Sequence, residues 1–186
     1  VTKNTIGVEG SSIYLEEGEK LSVKDLLYGL MLRSGNDCAE TLAVHCSGSI
    51  EKFSLLMNNT AKKIGANDSN FVNPHGLHDE NHYTTAADLA ILADAFMCVP
   101  KLCEIVKCTE FTMPQTNLQV ERPIRTTNYL LRNDVTRYYY KYATGLKTGY
   151  TDDAGKCFAG SAEKNGVKYI VILLSVPEVW DRYGLV

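Results

Sequence analysis

Two short segments of the chain carry residue types that could act together on a peptide or ester group. Ser34-Gly35-Asn36 offers a hydroxyl and a carboxamide, and Lys147-Thr148-Gly149 offers an ammonium group, a second hydroxyl and a residue without a side chain. A lysine can attract a carboxylate, a carboxamide can hydrogen-bond a peptide group, and Gly149 lets a ligand backbone approach a strand edge. Taken singly, each triplet also fits a structural role, as a helix connection or as an edge strand with a protective lysine.

A histidine in a loop is the third candidate. His75 lies within Asn73-Pro74-His75-Gly76-Leu77, between Gly and Pro residues that favour turns. Because imidazole changes its charge near neutral pH, His75 could carry a proton or contact a ligand. The same ring could instead hydrogen-bond nearby backbone and stabilise the loop, and the sequence leaves both roles open.

One further serine has the spacing of a nucleophile. Ser49-Ile50-Glu51-Lys52 places a hydroxyl and an amine one helical turn apart, as a serine nucleophile with a lysine base requires. Ser49 also stands where the following helix needs an N-cap, and a capping serine directs its oxygen to backbone N–H groups. We therefore interpret Ser49 as a helix cap and its match to the nucleophile pattern as chance.

Composition narrows the function classes. With 186 residues, 45% of them apolar, the chain can bury one good core. A formal charge of -3 without a basic stripe gives no electrostatic reason to expect a nucleic-acid partner. No apolar run approaches about 18 residues, the length that a membrane-spanning helix needs.

The six cysteines do not indicate a metal site. No C-x2-C pair exists among them, so the spacing of zinc ligands is missing. We expect mostly buried free thiols, with one or two disulfides left open. The sequence predicts neither a metal nor another cofactor.

The candidate residues must be positioned by an α+β arrangement. Apolar residues recur at helical spacing between residues 23 and 107, and β-like patterns dominate after residue 108. The predicted helix starts are Ser22 as an N-cap, Asn36 or Asp37 as the next N-cap, Ser49, Thr85, and Pro100 in a first turn.

The strand predictions include one strong hairpin signal. Asn165-Gly166 separates two apolar runs, 156–163 and 167–176, which we expect to pair as the closing hairpin. Weaker patterns predict strands at 12–16, at 110–113 and near 118–122, and a last helix from Pro177. Together these predict a cluster of helices packed on an antiparallel sheet, with Lys147 on an edge strand before the hairpin.

In combination, the motifs resemble a known family. The order Ser-x-Asn, then Lys-Thr-Gly about 110 residues later, is that of penicillin-recognising serine enzymes. The chain is similar to the D-alanyl-D-alanine carboxypeptidases, the low-molecular-mass penicillin-binding proteins. The likeness covers most of the chain and includes "VEGSSIYLEEGEKLSVKDLLYGLMLRSGNDCAETLA", "FVNPHGLHDENHYTTAADLA" and "GLKTGYTDDAGKCFAGSAEKNGVKYIVILL".

The resemblance implies a β-lactamase/transpeptidase-like fold that is incomplete at both ends. Residues 1–186 would form part of one penicillin-binding catalytic domain. The nucleophilic serine and its lysine base would precede Val1, because in this family they open a helix upstream of the Ser-x-Asn loop. Any C-terminal β-domain and amphipathic membrane anchor would likewise lie outside the chain.

The resemblance also assigns roles to the candidate residues. It implies that Ser34, Asn36 and Lys147 are catalytic and that a segment around the Lys-Thr-Gly triplet, together with the loop histidine, binds substrate. The implied substrate-binding residues are Thr148, Gly149, Tyr150, Thr151 and His75.

The implied activity is removal of the terminal D-alanine from peptidoglycan stem peptides through an acyl-enzyme, which β-lactams would trap. The expected partners are therefore the stem peptide and β-lactams, without nucleic acid, and the expected location is the bacterial cell envelope after export. Two alternatives stay open. One is a non-catalytic peptidoglycan-binding or regulatory domain of the same fold. The other, a class A-like β-lactamase, is disfavoured because Glu121 and Asn128 lack the Glu-x-x-x-Asn spacing.

Overall fold

Helices packed on an antiparallel sheet form the α+β fold that the sequence predicts. The computed structural model describes residues 1–177, 181–184 and 186. The helices are α1 (Val23–Arg33), α2 (Asn36–Ser47), α3 (Ile50–Ile64), α4 (Ala86–Met97), α5 (Pro100–Lys107) and the short α6 (Asp181–Gly184). The strands are β1 (Glu110–Met113), β2 (Arg122–Arg125), β3 (Ala143–Thr151), β4 (Gly155–Lys164) and β5 (Val167–Val176).

Three predicted helix caps are confirmed. The side-chain oxygens of Ser22, Ser49 and Thr85 each accept a hydrogen bond from the backbone N–H three residues later, at 3.1 to 3.2 Å. These bonds satisfy N–H groups that the first helical turn leaves without a partner. Ser49 is thus the N-cap of α3, as predicted, and Pro100 occupies the first turn of α5.

The predicted closing hairpin is also confirmed. β4 and β5 pair in antiparallel fashion around Asn165 and Gly166, whose φ angles of 54° and 77° suit the tight turn. β3 pairs with the other side of β4, so the sheet order is β3-β4-β5. β3 therefore lies at an edge of this sheet, where the sequence places Lys147.

A bulge shapes β3 just before the Lys-Thr-Gly triplet. The register shifts between Ala143 and Gly145, and Gly145 and Leu146 have φ angles of 138° and 74°. A Cβ atom on Gly145 would lie 2.6 Å from a side-chain carbon of Val106 and 2.7 Å from the Val106 carbonyl oxygen. Bulges redirect side chains, and this one lies directly before Lys147, where α5 packs closely against β3.

The predicted strand at 12–16 is wrong. Tyr14 interrupts the segment with a left-handed φ of 62°, and no strand among the described residues pairs with it. Instead the N–H groups of Ile13 and Leu15 donate to the carboxylate of Asp37, at 3.3 and 3.0 Å. Ser12 donates to the same carboxylate at 2.6 Å. A buried side chain therefore takes the place that a second strand would have in satisfying this backbone.

The predicted strand near 118–122 is displaced. Residues 116–119 form a turn in which the Thr116 hydroxyl accepts from the N–H groups of Leu118 and Gln119. The strand begins only at Arg122, whose guanidinium pairs with the buried Glu19, and it pairs with β1. The predicted last helix from Pro177 falls partly on residues 178–180, which lie outside the described residues.

The sequence predicts mostly buried thiols, and the structure buries one of the six. No disulfide joins the six cysteines, all of which lie in the described part of the chain. Only Cys38 is buried, whereas Cys46 and Cys98 are exposed and the others lie between these extremes. Cys38 contributes to the main apolar core beneath α1 and α2, beside Leu32, Met113 and residues of the 13–15 segment. Among the described residues, no helix is both long enough and apolar enough to cross a membrane.

Candidate functional site

One groove brings the sequence-predicted residues together. It has a volume of about 960 Å³ and lies between the α1–α2 connection, the 74–77 loop and the outer edge of β3. All eight predicted site residues line it: Ser34, Asn36, His75, Lys147, Thr148, Gly149, Tyr150 and Thr151. Residues separated by more than 100 positions in the sequence are therefore neighbours in one cavity.

Ser34 is held in an unusual backbone conformation at the rim of this groove. Its φ of 63° is left-handed, and the next N–H, that of Gly35, donates to the Gly29 carbonyl at 3.2 Å to close α1. A side chain costs roughly 1–2 kcal/mol in this region, where glycine is the cheaper residue. The described residues provide no hydrogen-bond partner for the Ser34 hydroxyl, which leaves it available to a ligand in the groove.

Gly35 is needed for space rather than for backbone freedom. Its φ of -64° is accessible to any residue, so backbone freedom is not required. A Cβ atom there would lie 2.9 Å from Oδ1 of Asp37 and 3.1 Å from the Cys38 sulfur. Gly35 therefore provides the space that lets Ser34 and Asn36 flank a tightly packed helix start.

Asn36 is not the N-cap of α2; Gly35 has that position, and Asn36 is the first helical residue. The buried Asn36 side chain donates from Nδ2 to the Glu9 carbonyl at 2.6 Å, and its N–H donates to the Ser11 carbonyl at 2.8 Å. The 9–11 segment thus fixes the carboxamide at the groove wall. Its Oδ1 has no hydrogen-bond partner among the described residues.

Lys147 and Thr148 follow the bulge on β3. Nζ of Lys147 donates to the Thr148 carbonyl at 2.8 Å, which keeps the ammonium group at the groove. The hydroxyls of Thr148 and Thr127 lie 2.8 Å apart. The buried Asn128 donates from Nδ2 to the Gly145 carbonyl at 3.1 Å. The segment after β2 therefore supports both the bulge and the Thr148 hydroxyl.

Tyr150 and Thr151 line the far end of the groove, but their hydroxyls have structural partners. The Tyr150 hydroxyl donates to Asp152 at 2.6 Å, and the Thr151 hydroxyl accepts from the Ala154 N–H at 3.0 Å. Both bonds stabilise the turn between β3 and β4. A ligand along this edge would meet the backbone of these residues more readily than their hydroxyl groups.

His75 packs into the groove wall against Glu40 of α2. Its Nε2 lies 3.3 Å from Oε1 of Glu40, and its Nδ1 accepts from the Leu77 N–H at 3.2 Å. Burial lowers the pKa of His75 and raises the pKa of Glu40. The imidazole is therefore held in its neutral form next to a carboxyl group that sequence reasoning did not identify.

Two serines that precede a lysine by three residues lie outside the groove lining. Ser49 caps α3, with its oxygen bonded to the Lys52 N–H. Ser161 precedes Lys164 within β4, where residues three apart point to opposite faces of the sheet. The Ser161 hydroxyl accepts from Thr144 at 2.8 Å. Neither pair has the arrangement of a serine nucleophile with its base.

The structure adds residues that the sequence did not reveal. Thr127 supports Thr148, and Glu40 contacts His75, although neither belongs to a recognisable local pattern. The polar run Thr126-Thr127-Asn128 directly after β2 is the one signal that could have indicated the first contact. Within the described part of the chain, no cluster of three or more His, Cys, Asp or Glu side chains could hold a metal ion.

Comparison with known proteins agrees with this architecture. A family model described as D-alanyl-D-alanine carboxypeptidase matches residues 1–178. The carboxypeptidase DacF of Bacillus subtilis is 33% identical over 181 residues, which cover 97% of this chain and 45% of that protein. DacC of Escherichia coli is 36% identical over 169 residues, covering 90% of this chain and 40% of that protein. The chain thus spans less than half the length of these two curated relatives.

A solved structure extends the likeness to three dimensions. The D-alanyl-D-alanine carboxypeptidase DacD from Francisella tularensis superposes with a TM-score of 0.89 at 26% sequence identity. The superposition covers 100% of this chain and 55% of that chain. The helical cluster, the three-stranded sheet and the groove between them are therefore arranged on the fold of a D,D-peptidase.

Proposed function

The chain belongs to the D-alanyl-D-alanine carboxypeptidase family, whose model covers residues 1–178, and on this premise we propose that the protein is a serine-type carboxypeptidase. In this proposal it removes the terminal D-alanine from peptidoglycan stem peptides and is acylated by β-lactams. The observation that carries the proposal is the single groove lined by Ser34, Asn36, Lys147 and Thr148. The protein acts in the cell envelope after export, where peptidoglycan lies.

The edge of β3 binds the end of the substrate. The terminal carboxylate meets the ammonium group of Lys147 and the hydroxyl of Thr148, and both form charge-assisted hydrogen bonds with it because the acceptor is ionised. The stem peptide runs along β3 as an added strand, with Gly149 allowing the backbones to approach. The N–H of Tyr150 donates to the carbonyl oxygen on which negative charge develops during acylation.

Ser34 and Asn36 form the opposite wall. A nucleophilic serine attacks the penultimate D-alanine carbonyl carbon, the C–N bond breaks, and D-alanine leaves after its nitrogen receives a proton. The Ser34 hydroxyl relays that proton, and the positive charge of Lys147 favours its transfer. The Asn36 carboxamide hydrogen-bonds the substrate amide. Water then attacks the ester, which releases the shortened peptide and restores the serine.

In this proposal the nucleophile belongs to a segment N-terminal to Val1, and residues 1–186 form part of one catalytic domain. Three observations on the serines of this chain support the proposal. Ser49 is committed to capping α3, and Ser161 is separated from Lys164 by the alternation of β4. Ser34 has no lysine one helical turn away, because Asp37 occupies that position.

Labelling with a fluorescent penicillin tests the proposal. We expect the full-length protein to form a covalent adduct that mass spectrometry maps to a serine before Val1, and to release D-alanine from a D-Ala-D-Ala peptide. Lys147→Ala should abolish both reactions, while Lys52→Ala, on the exposed face of α3, should leave them unchanged. An adduct on Ser34 or Ser49 would overturn the assignment of the nucleophile. Failure of the full-length protein to label would favour a non-catalytic peptidoglycan-binding domain.

A further inference from the structure

A carboxylate stands directly behind the histidine of the groove. Glu40 lies one helical turn after Asn36 on α2, so the two side chains share a face of that helix. Asn36 reaches the groove, whereas Glu40 meets His75, with 3.3 Å between Oε1 and Nε2. The side chains of His75 and Glu40 are only 8% and 16% exposed, so water screens the contact poorly.

Contacts at both ring nitrogens favour one tautomer of His75. Nδ1 of His75 accepts a hydrogen bond from the Leu77 N–H, so it carries no proton. In the neutral ring the proton must then be on Nε2, which faces Glu40. A carboxylate oxygen there stabilises this tautomer over the alternative, in which Nδ1–H would oppose the Leu77 N–H.

The contact links the loop around His75 to the helix that carries Asn36. On α3, Asn58 accepts from the Phe71 N–H at 2.7 Å and donates to the Phe71 carbonyl at 2.9 Å. On α4, Asp88 accepts from the Asp68 N–H at 2.7 Å. The hydrogen bonds of Asn58 and Asp88 hold the start of the loop, away from the groove lining. The contact between His75 and Glu40 of α2 lies at the groove itself.

Close packing also joins the 73–77 loop to Asn36 at the start of α2. A Cβ atom on Gly10 would lie 3.0 Å from Nδ2 of Asn36 and 3.8 Å from a side-chain carbon of Leu77. Asn73 closes the loop, since its Nδ2 donates to the Leu77 carbonyl at 2.9 Å and its Oδ1 accepts from the Gly76 N–H at 2.7 Å. A shift of the loop would therefore be transmitted to the Asn36 carboxamide.

We propose that Glu40 is a positioning residue for the groove: it holds His75 as the Nε2–H tautomer and thereby fixes the 73–77 loop against Asn36. The inference deepens the proposed carboxypeptidase function, on which its kinetic consequence rests, but its structural content does not depend on catalysis. Two titratable groups act on the His75 ring: Glu40 on α2 and His82 in the same loop. Asp79 is close enough to His82 to affect its charge. His82 in turn accepts from the Val72 N–H through its Nδ1.

The tautomer can be measured directly by nitrogen NMR on the full-length protein with labelled histidine, with the His75 signals assigned by their loss in His75→Gln. We expect the proton on Nε2 in the wild type and in Glu40→Gln, whose amide oxygen still accepts from it. Glu40→Leu keeps the Leu77 N–H donor but loses the oxygen that faces Nε2, so the share of the Nδ1–H tautomer should rise above that of the wild type. Glu51→Leu, an equivalent change at an exposed position of α3, is the matched control and should match the wild type.

Acylation kinetics test the consequence for the site. Glu40→Leu should slow acylation by a fluorescent penicillin about tenfold, because small misplacements of positioning groups carry such costs. Glu40→Gln should stay within about twofold of the wild type, since it keeps an oxygen of similar position facing Nε2 of His75. A proton on Nδ1 in the wild type, or an unchanged tautomer and rate in a folded Glu40→Leu, would overturn the proposal. If the wild type forms no acyl-enzyme, the proposed function fails, while the tautomer measurement still decides the role of Glu40.

Discussion

The hydroxyls of Thr127 and Thr148 lie 2.8 Å apart, which connects the segment after β2 to the edge of β3. The Thr127 carbonyl also accepts a hydrogen bond from the Tyr183 hydroxyl at 2.9 Å. Tyr183 packs against Tyr129 and Phe158 in the second apolar core. The orientation of the Thr148 hydroxyl is thus supported by a chain of contacts that begins in the interior of the molecule.

The contact between the Thr127 and Thr148 hydroxyls predicts that substitution of Thr127 slows acylation. Thr127→Val keeps the shape but removes the hydroxyl, so Thr148 loses a partner worth about 1 kcal/mol. We expect acylation by a fluorescent penicillin to slow by roughly three- to tenfold in the full-length protein. Thr127→Ser retains the hydroxyl and should react nearly as the wild type does. Equal rates for the valine and serine variants would show that the contact does not position Thr148.

Two glycines of β3 should respond differently to alanine. Gly145→Ala would place a methyl group 2.6 Å from Val106 at a φ of 138°, so we expect a loss of about 3 kcal/mol in the free energy of unfolding. Gly149→Ala meets nothing closer than the Cβ of Cys157 at 3.7 Å and should change stability by under about 1 kcal/mol. Urea unfolding measures both.

Gly149→Ala should instead affect ligand binding. The added methyl group would project from the sheet into the groove that Gly149 lines, beside the proposed path of the substrate backbone, so acylation should slow although the fold is retained. A stable Gly149→Ala protein with wild-type acylation would argue against peptide addition along β3. A stable Gly145→Ala protein would contradict the packing of the bulge against α5.

The buried carboxylate of Asp37 should be a major source of stability. It accepts from Ser12, Ile13 and Leu15, and Asp37→Ala would leave these donors unsatisfied. We expect the free energy of unfolding to fall by about 3 kcal/mol. Asp25→Ala removes a surface carboxylate that accepts from Ser22 and should cost less than about 1 kcal/mol. Urea titrations that give equal costs for the two variants would contradict this role.

Burial of His75 predicts a pH dependence of stability. Because the folded state lowers the pKa of His75, the unfolded chain binds the proton more tightly. The stabilising contribution is complete above the unfolded pKa of about 6.5 and is lost as the pH falls through the lower folded value. Urea unfolding between pH 5 and pH 8 should show a smaller decrease at acidic pH for His75→Gln than for the wild type. A parallel decrease in both proteins would exclude this linkage.

Local sequence signals predicted the fold best where a few residues decide the structure. The caps Ser22 and Ser49 depend on a bond to the N–H three residues later, and the Asn165-Gly166 turn depends on two φ angles. The prediction of a strand at 12–16 was wrong because the side chain of Asp37, more than 20 residues away, binds the backbone of this segment. No local pattern encodes such a choice of partner.

In the candidate site, too, the local motifs were predictable from the sequence, whereas the contacts between distant elements were not. Motif order was sufficient to select Ser34, Asn36 and Lys147, and the structure brings all three to one groove. The supporting contacts from Thr127 and Glu40 escaped sequence reasoning, because each joins elements that meet only after folding. Residue type alone cannot distinguish Glu40 from the many solvated glutamates on helix surfaces.

Cysteine reactivity should follow burial. Burial raises the pKa of Cys38, with the neighbouring Asp37 adding to the effect, so this thiol remains protonated and unreactive. Cys46 and Cys98 are exposed and unpaired. A short treatment of the native protein with iodoacetamide, followed by peptide mass spectrometry, should modify Cys46 and Cys98 and spare Cys38. All three should react in urea, and rapid native modification of Cys38 would show that the core between α1 and α2 opens far more readily than its packing implies.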